Sequence, residues 1–134
     1  MRARPFEMVF PAAPPDPAEM ALFKAASEGD LATLTRLLEE GVNLEATVNG
    51  YNALMVAARC GKLDCLEYLI AKGASLNAQD SVKMTAMHLA ADEGHTPCVE
   101  SLLEAGADAS LKDIDGLTAS DHQSERRELL AQED

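Results

Sequence analysis

Tryptophan is absent from this chain of 134 residues, and aromatic residues make up only 4% of it. Any core must therefore be filled by small and branched aliphatic side chains, for which a hydrophobic content of 47% is sufficient. Such a core suits thin helices packed closely in layers. Basic residues are scarce as well. Eleven Lys and Arg against 23 Asp and Glu leave a net charge of −12. Nucleic acids and anionic membranes are gripped by lysines and arginines facing phosphates, so neither is expected as a partner. Most of the charge serves solubility. No apolar run approaches the ~18 residues that a membrane-spanning helix needs. The opening MRARPFEMVF has no continuous apolar segment and carries Glu7, so it does not read as a secretory signal. Cysteine is limited to three, an odd number, each set among helix-forming residues. That pattern points to reduced thiols and to the cytoplasm, with the nucleus as the other compartment of the same redox state.

What the chain does have is recurrence. The stretch TAMHLAADEGHTPCVESLLEAG, residues 85–106, has a polar start, a helical run to Gly94 and a second helical run to Gly106. Gly61, Gly73 and the pair Ala57-Ala58 precede Gly94, Gly106 and Ala90-Ala91 by 33 residues. Ala25-Ala26, Gly29 and Gly41 repeat the landmarks once more at an offset of 32. A period of this length marks a protein of stacked units, none of which can bury its apolar face alone.

Residues 1–15 lack helical periodicity and contain Pro5, Pro11, Pro14 and Pro15, so they read as an extended arm. Phe6, Val9 and Phe10 give that arm the means to lie along the first unit. Regular structure is expected to begin at Asp16, an N-cap followed by Pro17 at the first helical position and Glu19 at the third. Met20, Leu22, Phe23 and Ala26 carry a first helix to Gly29. Asp30 opens a second, with Leu31, Leu34, Leu37 and Leu38 as its stripe. Each helix is about two turns long, too short to persist alone in water. The units divide as 16–49, 50–82, 83–115 and 116–134. The last ends in a polar surface of Glu125, Arg126, Arg127, Glu128, Glu133 and Asp134, as a terminal unit must.

TAMHLAADEGH…SLLEAGADA in the third unit and NALMVAARCGK…YLIAKGASL in the second resemble the ankyrin repeat, and the likeness covers residues 16–134. The resemblance implies an all-α repeat solenoid of stacked helix-turn-helix units, with β-hairpin loops projecting sideways as fingers. It also implies that His88 hydrogen-bonds Thr85 and ties one finger to the next, that Thr118 and Asp121 reproduce the pair in the last unit, and that Asn52 and Met55 do so only in part. Asn77 matches the position that some ankyrin proteins present for hydroxylation. Three departures stand out. The finger-tip glycine, present as Gly50 and Gly116, is Lys83 in the third unit, where a left-handed backbone costs a non-glycine residue about 1–2 kcal/mol. The first finger is one residue shorter than the others. Ala53, Ala86 and Ala119 stand where the family opens its helix with proline.

No constellation of nucleophile, base and acid recurs at suitable spacing, so the chain is expected to be no enzyme, with catalytic residues, cofactors and metals all none. Cys65 and Cys98 hold the same place in successive units and read as buried small hydrophobes. The segments CGKLDC and HTPC do not assemble a ligand quartet. Cys60 reads as the most accessible thiol. Asp113-Ile114-Asp115 reads as a turn in which Asp accepts backbone hydrogen bonds.

The informative residues are at the fingers. Tyr51, Met84 and Leu117 follow the tip positions Gly50, Lys83 and Gly116, so stacking would align them along one edge. Val48, Val82 and Ile114 add apolar area beside them. Apolar residues in loops signal a contact surface, unless neighbouring fingers only pack on one another. Ser27, Glu28, Arg59, Asp92 and Glu93 at the exposed ends of the first helices give a largely acidic rim, with Arg59 as the exception. The expected partner-binding set is Val48, Asn49, Tyr51, Arg59, Ser81, Val82, Met84, Asp92, Ile114, Asp115 and Leu117. The expected function is capture of another protein, one that brings a basic rim around an apolar anchor, by a chain that is a monomer when free. The alternatives are an inhibitor that caps an enzyme such as a kinase, and a regulatory or assembly subunit of a larger complex.

Overall fold

The computed structural model describes residues 16–48 and 50–124. The N-terminal arm, Asn49 and the charged ending from Glu125 lie outside them. Six helices follow in order: α1 (Pro17–Glu28), α2 (Leu31–Glu39), α3 (Ala53–Cys60), α4 (Leu63–Ala71), α5 (Ala86–Glu93) and α6 (Thr96–Glu104). Residues 119–124 begin a further helix.

Local chemistry explains each start and stop. The Asp16 carboxylate accepts from the Ala18 amide at 2.8 Å, with Pro17 behind it. Asp30 caps α2 through the Thr33 amide at 3.2 Å and the Thr33 hydroxyl at 2.7 Å. The odd-numbered helices end on Gly29, Gly61 and Gly94, all left-handed, and each turn then opens straight into the partner helix. Gly61 is doubly required: besides its φ of +72°, a Cβ there would stand 2.6 Å from the His95 ring.

The helices form two layers. α3 packs between α1 and α5, and α4 packs between α2 and α6. The inner layer meets through Ala25, Ala26, Ala57, Ala58, Ala90 and Ala91, all buried. These small side chains let the backbones approach closely. The outer layer supplies bulk through Leu34, Leu37, Leu66, Leu69, Val99 and Leu102, with Cys65 and Cys98 buried among them. Burial, aided by Asp64, pushes the Cys65 thiol up, and burial with Glu67 does the same at Cys98, so both are poor nucleophiles. Cys60 is half-buried. Side chains tie successive loops together at the layer edges. Glu45 accepts from the Ser75 amide at 2.8 Å, and Asn77, in the same place one unit on, accepts from the Asp108 amide at 2.8 Å.

The fingers are hydrogen-bonded turns. Among the described residues the only β-bridge joins Val48 to Tyr51, and it closes the short first finger. The next two are one residue longer and are closed by Asp80 and Asp113 instead of by a ladder. The Lys83 φ of +64° confirms that this tip adopts the glycine conformation without glycine.

Candidate partner-binding surface

Finger tips and the groove-facing ends of α1, α3 and α5 make up the surface that the sequence singles out. Val82 and Ile114 are its most exposed apolar side chains, 41% and 63% accessible. The Ile114 amide donates to the Val82 carbonyl at 2.9 Å, so the second and third fingers are joined and the two side chains share one edge. Tyr51, Met84 and Leu117 are half-buried, and Tyr51 and Met84 pack against the core. Val48 is half-buried too, whereas Ser81 and Asp115 are exposed. Asn49 lies outside the described residues. Arg59 is exposed and stands over the Tyr51 ring, 5.9 Å from its centroid, while Asp92 is exposed one unit further on. The row is therefore graded: Tyr51, Met84 and Leu117 root the fingers, and Val82 and Ile114 face outward.

Behind the row the fingers are fastened to the helices by a polar network. Thr85 and His88 form a capping box at the start of α5: the His88 amide donates to the Thr85 hydroxyl at 3.3 Å, and the Thr85 amide donates to His88 Nδ1 at 3.2 Å. Nδ1 is thereby an acceptor, so Nε2 carries the proton and donates to the Leu117 carbonyl at 2.8 Å. The link from one unit to the next finger is the one that the resemblance implies. Asn52 supplies half of this arrangement, taking the Met55 amide at 2.9 Å. In the last unit Thr118 and Asp121 exchange backbone donors, at 2.9 Å and 3.3 Å.

His122 is a member of this network that the residue pattern did not single out. Its Nε2 lies 2.7 Å from Asp113 Oδ2 and its Nδ1 lies 3.3 Å from Asp92 Oδ1. Burial disfavours the charged ring, but the bonds to Asp113 and Asp92 outweigh it and raise its pKa above the usual histidine value. Burial likewise pushes the Asp113 carboxyl up, yet the Leu117 amide, the His122 ring and the Asp115 amide outweigh it and hold it below the ordinary aspartate range. The signal in the sequence was position: His122 falls 33 residues after Leu89, in a helix column whose other members are Lys24, Val56 and Leu89.

His88, Asp113 and His122 bring their ligand atoms within 4.8 Å of one another, a spacing that a divalent cation can bridge. The hydrogen bonds assign them differently. His88 has no lone pair to spare, and both nitrogens of His122 face carboxylates, to which the protonated ring donates from each. The cluster is a latch between α5, the third finger and the last helix.

A stack of short helix pairs with tied lateral fingers defines a repeat protein of the ankyrin class. The model of "Ankyrin repeats (3 copies)" matches residues 22–113, more than half of the chain, and the chain belongs to the ankyrin-repeat family. Among curated proteins it is similar to chicken inversin, 33% identical over 96 residues, covering 70% of this chain and 9% of inversin. It is also similar to human ankyrin repeat domain-containing protein 29, 42% identical over 65 residues and covering 47% of this chain and 22% of that protein. Human NAD-capped RNA hydrolase NUDT12 is 37% identical over 68 residues, covering 49% of this chain and 15% of the hydrolase. The chain thus spans less than a quarter of the length of these relatives, and the activity in a relative's name does not come with so short a match. Ankyrin repeats are in general protein-interaction modules. No helix among the described residues is long and apolar enough to cross a membrane.

Proposed function

We propose that this chain is a non-catalytic binding module that captures another protein along its fingers and the groove behind them. The supporting observation is the exposed apolar edge of Val82 and Ile114 on two fingers joined by a backbone hydrogen bond. A surface whose backbone is already ordered loses little entropy on association, so a few anchors suffice. Tyr51, Met84 and Leu117 set the inner margin of the contact, and Val48 and Asn49 extend it to the first finger. Arg59, Ser81, Asp92 and Asp115 form its polar rim. The partner carries an apolar anchor surrounded mainly by basic groups, complementary to a chain of net charge −12. The free chain is a monomer and works where thiols stay reduced, in the cytoplasm or nucleus.

A photo-crosslinking residue at position 114 tests this. Its adduct in cell extract is expected to be one dominant protein, lost when Val82→Ser is added. A crosslinker at Leu103, an exposed apolar position on α6, should not yield it. Equal yields from positions 114 and 103 would overturn the assignment of the surface. The circular dichroism spectrum of Val82→Ser should match that of the parent chain, because an exposed loop residue contributes little to the fold.

A further inference from the structure

Asp80 and Asp113 sit 33 residues apart at the bases of successive fingers, both buried, and both close their turn with Oδ1. Asp80 Oδ1 accepts from the Val82 and Met84 amides, each at 2.9 Å; Asp113 Oδ1 accepts from the Asp115 and Leu117 amides at 2.9 and 3.0 Å. Their second oxygens differ. Asp113 Oδ2 meets His122 Nε2 at 2.7 Å, from a ring on the inner helix of the next unit. Asp80 Oδ2 is equally shut off from solvent and has no hydrogen-bond partner.

The repeat explains why. The residue that corresponds to His122 is Leu89, which has no donor. Arg59, a cation of the same layer, stands over the Tyr51 ring, and among the described residues no ion pair joins it to Asp80. A carboxylate oxygen held out of water without a donor is costly, and a donor supplied from outside the chain would relieve that cost. Val56 and Leu89 stand in the inner-helix column that Lys24 opens and His122 completes, and both pack with the apolar core.

We infer that Asp80 is the recognition point for a lysine or arginine side chain of the bound partner. The cationic head donates to Asp80 Oδ2 from the direction that His122 occupies at Asp113, and the alkyl stem lies over Val56 and Leu89. Because the oxygen is shielded in the free chain, the contact forms as the Leu89 side chain yields. This rests on the protein-binding reading above and adds to it the chemistry of one anchor.

Selection of a displayed library of random linear peptides on the intact chain tests it. Binders blocked by Ile114→Ser are expected to share a lysine or arginine at a fixed spacing from an apolar residue. Replacing that basic residue with norleucine should weaken binding about tenfold or more, the usual consequence of losing one partner of a desolvated charge pair. Asp80→Asn should weaken the same peptides about as much without lowering the melting temperature, and the two losses should not add. Leu89→His, which gives Asp80 an internal donor, should remove the preference for a basic residue. Binders at this surface that lack a basic position, or that bind Asp80→Asn as tightly as the parent, would overturn the inference and leave the binding reading standing. A library that yields no binder sensitive to Ile114→Ser would overturn both.

Discussion

The second and third fingers are built on one plan and fastened in two ways. At the third finger, polar groups of two inner helices converge: His88 holds the Leu117 carbonyl and His122 holds the Asp113 carboxylate. At the second finger the corresponding positions are Met55 and Leu89, and neither can donate. Both turns are closed by their own aspartate, but only the third is also fastened to the inner helices by these two side-chain hydrogen bonds. The difference teaches that repeats which match in backbone need not match in rigidity. A finger fixed by two imidazoles keeps its shape, whereas one with a buried oxygen to spare has a reason to take a donor from elsewhere.

Removing the lock should make the two fingers alike. The largest effect is expected from His88→Ala, which empties a core site 1% exposed, breaks the capping box and frees the Leu117 carbonyl. A loss of about 3–4 kcal/mol in urea unfolding is expected. A loss under about 1 kcal/mol would show that the ring is dispensable to the stack.

His122→Ala is the milder version, since it leaves Asp113 with one oxygen unpartnered, in the state of Asp80. The expected cost is about 1–3 kcal/mol, with the third finger exchanging amide hydrogens faster than before. If the Leu117 amide exchanged no faster, the two fingers would differ for some reason other than this ring.

Acidity should tune the lock without any substitution. The raised pKa of His122 means that its contribution is complete below the unfolded histidine value of 6.5 and is lost as pH rises through the higher folded value. The lowered pKa of Asp113 gives a contribution present above the unfolded value of 3.8 and lost as pH falls through the lower folded value. Both terms are in place between those two reference values. His122→Gln should flatten the decline of the melting temperature on the alkaline side. A variant with the parent's profile would place the titration elsewhere.

Lys83→Gly is the smallest change and acts on the second finger alone. It relieves about 1–2 kcal/mol of left-handed strain and gives back about 0.4–1 kcal/mol through a freer unfolded chain. A net gain between zero and about 1.6 kcal/mol is expected, read as a small rise in melting temperature. A fall would mean that the Lys83 side chain supports the tip.

Much of this object was legible in the residues. Gly29, Gly61 and Gly94 set the helix ends, the paired alanines marked the close inner layer, and the resemblance to the ankyrin repeat implied the tie from Thr85 and His88 to the next finger. Lys83 was legible as a glycine position without glycine, because a single φ is a local property. The latch of Asp113, Asp92 and His122 was not, since its members come from a finger and from the inner helices on either side of it. The gradation of the finger row was hidden as well. Tyr51, Met84 and Leu117 share one repeat position with no mark of burial, and only the packing of neighbouring units shows that they root the fingers while Val82 and Ile114 face out.

The sequence by itself determined the class, the period, the helix boundaries and the acidic character, because each follows from local spacing and residue type. Only the tertiary structure showed where the second oxygen of each of the two equivalent carboxylates must find its donor. That donor must come from the next unit, nine positions further along, and whether position 89 or 122 reaches its aspartate is a matter of stacking in space, where a leucine offers nothing and a histidine closes the bond.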